Sequence, residues 1–275
     1  MLPELTSLLN PLLNMAYDAA EAILTVYARS QAITILTKAD HTPVTQADYA
    51  AHHLLVQKLQ QLTPALPILS EEATATDYSE RKQWHTYWLI DPLDGTQEFI
   101  NGTTEFTINI ALIKQHKPVL GLVYQPMDHL CYYATAGQGA YKRETNGKVT
   151  KLGVRKKPDI PTIAISRRHN PEKLQALLAK VSDYQLLNLG SALKICKIAE
   201  GEADIYPRFG PTSEWDTAAG QCVLEEAGGQ LINLQGQPLM YNTKDSLLNP
   251  KFLAIGDNQY DWLSHLIITK GVFHE

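Results

Sequence analysis

Apolar residues recur at helical spacing near the start of the chain, at Leu12, Leu13, Ala16, Ala19, Ala20, Ile23, Leu24 and Tyr27. That stripe predicts a helix from an Asn10 cap, with Pro11 in its first turn, to about Arg29. Leu2, Leu5, Leu8 and Leu9 precede it and leave two outcomes open: a further helical turn or an exposed apolar patch. A second helix is expected from Thr45, its natural cap, to about Leu62, where Pro64 and Pro67 end it. The short run Ile68-Leu69 then leads to Glu71. Phe106–Ile113 and Pro118–Tyr124 predict paired strands around a turn at 114–117, with further strands at Leu130–Ala134 and after Gly137-Gln138-Gly139. The basic segment 148–157 reads as a solvated edge strand and loop. Past Pro158 and Pro161 the pattern becomes strand–helix alternation. Strands are expected at 162–166, 184–188 and 204–206, and helices at 171–182, 192–200 and around Asp216. The expected division is an N-terminal α+β domain with an antiparallel sheet, 1–160, and a C-terminal α/β domain, 161–275.

Three of these elements meet carboxylates. The apolar run Tyr87–Ile90 ends in Asp91, and a tight Pro92-Leu93-Asp94-Gly95 turn is expected to lead into Thr96. Ile68-Leu69 ends in Glu71-Glu72. Trp215-Asp216-Thr217-Ala218-Ala219-Gly220 places Asp216 at a helix N-cap, with Gly228-Gly229 as the stop. Hard divalent cations take oxygen ligands. Gly95 permits close backbone approach, and the Gly95 and Thr96 amides at a helix start would favour a phosphate. Asp-Gly pairs also mark ordinary turns and N-cap aspartates are common, so each segment alone keeps a plain structural reading.

Composition narrows the classes. With 44% apolar and 19% charged residues the chain falls in the ordinary globular range. A net charge of −5 argues against a nucleic-acid binder. The same charge suits a polyanionic substrate only where bound metal supplies positive charge. Cys131, Cys196 and Cys222 form no C-x-x-C pair, which fits a reducing compartment and gives no zinc framework. His52 and His53 are adjacent, point to different faces of a helix and are expected to be surface or half-buried residues. No basic-then-apolar leader opens the chain, and no apolar run approaches the ~18 residues that span a membrane. A cytoplasmic protein is expected.

In combination, Glu71-Glu72, Asp91-Pro92-Leu93-Asp94-Gly95-Thr96 and Trp215-Asp216-Thr217-Ala218-Ala219-Gly220 resemble the signature of the inositol monophosphatase superfamily, over roughly Pro11 to Phe252. Leu69-Ser70-Glu71-Glu72, Gly190-Ser191-Ala192-Leu193-Lys194 and Tyr206-Pro207-Arg208-Phe209-Gly210-Pro211 are further similar to the bacterial 3′(2′),5′-bisphosphate nucleotidases of the CysQ type. The resemblance implies a layered αβαβα sandwich and a lithium-sensitive, magnesium-dependent phosphomonoesterase, with about two or three Mg²⁺ per site. By that likeness Glu71, Asp91 and the Leu93 carbonyl hold one ion, and Asp91, Asp94 and Asp216 serve a second. Four clustered carboxylates would need such cations to stay ionised.

The implied reaction is in-line attack of metal-activated water, without a phosphoenzyme, on adenosine 3′,5′-bisphosphate or its 5′-phosphosulfate relative. AMP and phosphate are the products from the bisphosphate, a by-product of sulfate activation in sulfur metabolism. Asp48 and Thr96, with Glu71, would orient or deprotonate the water, although Thr45-x-x-Asp48 also reads as a capping box. Glu72 would stand behind the ligands. Leu93, Asp94, Gly95, Thr96 and Asp216 would meet the scissile phosphate, while His169, Ser191, Lys194 and Arg208 would contact the nucleoside and the second phosphate. Gln97 departs from close relatives, which often carry lysine there, and that puts affinity in question.

The alternative within the superfamily is an inositol or sugar monophosphatase, whose polyol would not require the Ser191, Lys194 and Arg208 set. A metal-loaded regulatory protein is the competitor from another class, and no motif residue is missing to favour it. The expected partner is a small nucleotide and not a nucleic acid. A monomer or homodimer, and a peripheral contact with the cytoplasmic face of the inner membrane, remain compatible with the resemblance.

Overall fold

The computed structural model describes residues 4–28, 35–37, 43–74, 76–167, 175, 178, 181 and 183–267. The leucine stripe decides where the first helix starts. Helix α1 spans Leu5–Tyr27 and carries Pro11 inside it, so Asn10 is not its cap. Leu8 and Leu12 are fully buried and Leu5 and Leu9 pack beside them. Each buried leucine contributes roughly 1.5–3 kcal/mol, and together they outweigh the roughly 3 kcal/mol that an internal proline costs. The extra-turn outcome is therefore the observed one for Leu5, Leu8 and Leu9. Leu2 and Arg29 lie outside the described residues.

A short antiparallel pair, β1 (Ile35–Thr37) and β2 (Pro43–Thr45), precedes α2 (Gln46–Leu62). Thr45 caps α2 through a capping box completed by Asp48. A seven-stranded sheet follows in the order β3 (Ile68–Ser70), β4 (Thr86–Asp94), β5 (Thr107–Lys114), β6 (Lys117–Gln125), β7 (Leu130–Thr135), β8 (Ala140–Arg143), β9 (Val149–Lys151). The pairings are antiparallel except that β3 runs parallel to β4, so the first half is mixed where a purely antiparallel sheet was expected. Strand β9 is exposed throughout at the sheet edge, as the basic composition of that segment suggests.

One local expectation is corrected. Asp91 and Asp94 are not joined by a tight turn: β4 continues through Asp94 with a bulge between the two. A bulge accommodates Pro92, which has no N–H to give the ladder. The chain turns only at Gly95, whose φ of 93° is left-handed, and enters α4 (Thr96–Ile100). A four-residue helix, α3 (Tyr78–Arg81), lies between β3 and β4.

The chain leaves the first sheet after Lys151 and enters a second at Thr162. The second sheet has the order β11 (Gln185–Asn188), β10 (Thr162–Ile165), β12 (Ile205–Arg208), β14 (Phe252–Ile255), β13 (Gln230–Asn233). Strands β10, β11 and β12 are parallel; β14 is antiparallel to both neighbours, which adds an antiparallel part to the α/β pattern. Helices α5 (Leu193–Ala199) and α6 (Glu214–Glu226) lie between the sheets, and α7 (Trp262–Ile267) ends the described chain. The helix expected over 171–182 falls mostly outside the described residues.

Three apolar cores define the layers. Trp88 and Ile90 of β4 face α1 and α2. Tyr87 and Leu89 face the other way, into a core shared by α5, α6 and one side of the second sheet. Ile163, Ile205 and Leu253 bury the far side of that sheet with Trp262. Alternation along each strand thus builds an αβαβα sandwich. Gly121 of β6 lets α6 come close, since a Cβ there would lie 2.4 Å from the Ala219 carbonyl oxygen. Among the described residues no helix is long and apolar enough to cross a membrane.

Candidate active site

Strand ends and one helix start bring the carboxylates together. Ser70 pairs with Ile90 across β3 and β4, and the Glu71 N–H donates to the Ile90 carbonyl at 3.2 Å, which sets Glu71 beside Asp91. Asp94 follows beyond the bulge. Asp216 enters from the first turn of α6. It is not the N-cap: Ser213 is, and Asp216 three residues on accepts the Ser213 N–H at 2.9 Å to complete a capping box. Oxygens of Asp91, Asp94 and Asp216 lie within 4.8 Å of one another.

Burial holds Asp91 well above the usual carboxylate range, aided by the charges of Glu71, Asp94 and Asp216 and by a hydrogen bond with Glu71. Asp216 is pushed up by burial first and by Asp94 and Glu71 next, against the Ser213 N–H and Arg208. Such a cluster stays ionised only with positive charge among the oxygens. The donors are all hard oxygens, so the residues fit a hard divalent cation. Glu72 stands beside this group, its N–H 3.4 Å from Ser70 Oγ. His52 supports the same strand from behind. It is buried, a step further than the surface or half-buried position expected, and its Nδ1 lies 2.8 Å from Ser70 Oγ. His53 is exposed.

Asp48 serves two partners at once. Its Oδ2 accepts the Thr45 N–H at 2.8 Å and the Thr45 hydroxyl at 2.6 Å, while Oδ1 accepts the Thr96 hydroxyl at 3.0 Å. Burial nonetheless raises the Asp48 carboxyl above its ordinary value, because it outweighs the hydrogen bonds from Thr45 and Thr96. Thr96 Oγ1 also lies 3.3 Å from the Leu93 carbonyl oxygen. Capping and a link to Thr96 therefore coexist.

Asp94 is fixed through Oδ2, which accepts Ser191 Oγ at 2.6 Å, the Ala192 N–H at 2.7 Å and Asn109 Nδ2 at 3.2 Å. Thr107 Oγ1 stands 2.5 Å from Ser191 Oγ. Thr107 and Asn109 were not anticipated. Their signal was two polar residues at alternate, same-face positions of the apolar run Thr107-Ile108-Asn109-Ile110-Ala111-Leu112, both fully buried.

A cleft of about 210 Å³ opens beside Asp94, Gly95 and Asp216, and Ser191, Lys194 and Arg208 line its other wall. The two cations are occupied more fully than a bare anion site requires. Lys194 is 4% exposed; its ammonium donates to the Ser191 carbonyl at 2.5 Å and the Leu189 carbonyl at 3.3 Å, and it sits 5.2 Å from the Tyr206 ring centre. Arg208 is 8% exposed and donates to Ser166 Oγ at 3.1 Å and the Pro211 carbonyl at 2.7 Å, while its Nε has no hydrogen-bond partner among the described residues. Gln97 lines the cleft and its amide donates to Asn101 Oδ1 at 3.3 Å. His169 lies outside the described residues.

The model of the inositol monophosphatase family matches residues 4–264. The 3′(2′),5′-bisphosphate nucleotidase CysQ of Escherichia coli (strain K12) is 44% identical over 250 residues, 89% of this chain and 98% of its own. The protein of the same name from Haemophilus influenzae is 39% identical over 261 residues, 94% of this chain and 96% of its own. Among solved structures, CysQ from Bacteroides thetaiotaomicron, described as a bacterial member of the inositol monophosphatase family, superposes with a TM-score of 0.78 at 37% identity. It covers 90% of this chain and 97% of its own.

Proposed function

We propose that this chain, which belongs to the inositol monophosphatase family, is a magnesium-dependent phosphomonoesterase that converts adenosine 3′,5′-bisphosphate to AMP and phosphate. The observation that carries the reading is the cluster of buried Asp91 with half-buried Asp94 and Asp216, opening on a cleft whose far wall holds Lys194 and Arg208. The similarity to proteins named 3′(2′),5′-bisphosphate nucleotidase supports the choice of substrate. Glu71, Asp91, the Leu93 carbonyl, Asp94 and Asp216 would hold the ions. When bound, Mg²⁺ supplies positive charge against the phosphate and the leaving oxygen and acidifies water.

The chain's own residues do the rest. Thr96 donates a hydrogen bond from its hydroxyl to Asp48 Oδ1, which leaves its own oxygen lone pairs free to accept a hydrogen bond from the attacking water. Glu71 takes part on the other side of that water, and Asp48 is poised to hold a proton because burial has raised its carboxyl. Gly95 and Thr96 amides face the phosphate oxygens. Water attacks phosphorus in line with the departing 3′-oxygen and gives a proton to the Asp48 and Glu71 side, while the leaving ribose oxygen takes up a proton from solvent water, so that one proton is released and one consumed. Arg208 and Lys194 give charge-assisted recognition at the second phosphate.

One observation favours an inositol or sugar phosphate instead: the donors of Lys194 and Arg208 are largely committed to protein oxygens. The deciding experiment compares phosphate release from adenosine 3′,5′-bisphosphate and inositol 1-phosphate, with Mg²⁺, with added Li⁺, and with Asp94→Asn. A strong nucleotide preference that collapses with lithium or the substitution is expected. Equal or reversed rates would move the substrate to polyol phosphates and leave the metal chemistry intact.

A further inference from the structure

The loop before β11 ends and α5 begins is held by a residue with no part in the chemistry so far. Glu105, between α4 and β5, is 15% exposed. Its Oε2 accepts the Gly190 N–H at 2.8 Å and Arg167 Nε at 2.9 Å, and its Oε1 accepts Arg167 Nη2 at 2.5 Å. The contact with Gly190 is backbone-close: a Cβ on Gly190 would lie 2.7 Å from the Glu105 carbonyl oxygen and 2.9 Å from Glu98 Cγ. Next in the chain, Ser191 adopts a left-handed φ of 55°, a conformation that a non-glycine residue keeps only when its surroundings enforce it. That turn aims Ser191 Oγ and the Ala192 N–H at Asp94 Oδ2, the two shortest bonds this carboxylate receives. Lys194 grips the carbonyl side of the turn, at Leu189 and Ser191. Glu105 grips its amide side.

We propose that Glu105 is a positioning residue for Asp94, acting through the Gly190–Ser191 elbow and joining that carboxylate to Arg167 at the cleft wall. The inference rests on the reading that Asp94 holds a divalent cation. Without the Glu105 carboxylate, the Gly190 N–H loses its acceptor, the strained Ser191 turn relaxes, and the Asp94 oxygens lose their register. Arg167, a half-exposed cation lining the same cleft, loses its anchor in the same step. An outer contact on a metal ligand is worth 10–100-fold in metal affinity, and Glu105 stands one bond further out.

The test is calorimetric titration of Mg²⁺ into metal-free protein without substrate, with circular dichroism and melting curves to verify folding. Glu105→Ala and Gly190→Ala are each expected to weaken Mg²⁺ binding about 5–20-fold, the first by deleting the acceptor and the second by pushing the elbow off it. Glu105→Gln, whose amide oxygen can still accept the Gly190 N–H, is expected to stay within about threefold of the parent, and kcat at saturating Mg²⁺ to change little in any of the three. A folded Glu105→Ala or Gly190→Ala protein with parental affinity overturns the proposal, as does a Glu105→Gln protein as weak as the alanine variant. Where Glu105→Ala does not fold, Gly190→Ala against Glu105→Gln makes the same comparison. A parent protein that binds Mg²⁺ but leaves adenosine 3′,5′-bisphosphate intact removes only the substrate assignment. A parent that binds no Mg²⁺ removes this inference too.

Discussion

Glu214 opens α6 two residues before Asp216, and its environment makes a pH-dependent prediction. The side chain is 1% exposed. Its Oε2 accepts the Asn242 N–H at 2.8 Å, while Oε1, like Tyr87 Oη and Arg81 Nε, has no hydrogen-bond partner among the described residues. Burial pushes the carboxyl from its ordinary 4.5 up to about 7, against the Asn242 N–H and the charges of Arg81 and Lys244. Below pH 4.5 the group is protonated in both folded and unfolded chains and costs nothing. As pH rises toward 7 the unfolded chain ionises first, so stability is lost across that window and the loss levels off above it. At about 1.4 kcal/mol per pH unit, the plateau is roughly 3 kcal/mol.

Glu214→Gln keeps an oxygen for Asn242 and cannot ionise. It is expected to match the parent near pH 4 and to exceed it at pH 8 by roughly 3 kcal/mol, or roughly 6–12 °C in Tm. Urea titrations at pH 4, 6 and 8, all in EDTA, make contributions from Asp48, Asp91 and Asp216 cancel between the two proteins. A stability difference that does not grow with pH, or that favours the parent at pH 8, refutes the reasoning.

Asp91 and Asp216, both raised above their ordinary values by burial and by neighbouring carboxylates, give the metal-free protein the same sign. Its melting temperature should fall as pH rises, and the stabilisation by a fixed concentration of Mg²⁺, about 2.7 kcal/mol where that concentration is a hundredfold excess over Kd, should be larger at pH 8 than at pH 5 because the ionised carboxylates bind the ion more tightly; a Mg²⁺ effect that shrinks with pH would contradict this. Gly121→Ala, whose Cβ would meet the Ala219 oxygen at 2.4 Å, should push α6 off β6 and cost about 1–3 kcal/mol, read as a lower urea midpoint. Lys194→Met should reduce nucleotide turnover by about tenfold for a lost buried charge-assisted contact and inositol phosphate turnover by less. An equal loss on both substrates would make Lys194 a holder of the cleft wall, through the Ser191 and Leu189 carbonyls, and not a contact of the second phosphate.

Elements whose pattern is local were legible before the structure. Thr45 and its capping box start α2 where expected, because the cap, the third-position Asp48 and the apolar face all lie within a few residues. The strands from β5 to β8 were legible for the same reason, their apolar and β-branched runs being bounded by local turns, with β5 and β6 buried on both faces. The start of α1 was misplaced because Asn10-Pro11 is a strong local signal for a helix start. It is overruled by packing of Leu5, Leu8 and Leu9 against partners far along the chain. Strand β14 pairs with β12 on one side and β13 on the other, both distant from it along the chain, and nothing in these short sequences announces it.

The same division runs through the site. Glu71, Asp94 and Asp216 were legible because each lies at the end or in the first turn of an element, where an α/β sandwich gathers its polar groups, and Asp91 because it closes an apolar run, although β4 continues past it. Asp216 illustrates how far that reading reaches: its place at the start of α6 was anticipated, but Ser213, and not Asp216, turned out to cap it. Lys194 and Arg208 mark the limit. A lysine and an arginine near a phosphate site suggest direct contacts, yet in the fold both side chains are buried and spend donors on backbone oxygens that shape the cleft. Charge alone cannot distinguish a group that binds the substrate from one that holds the wall behind it, because the difference lies in which carbonyls the folded chain presents to that charge. Glu105 makes the same point from the other direction. A glutamate in an unremarkable loop acquires its role only when Gly190, distant in sequence, brings a bare backbone amide against it.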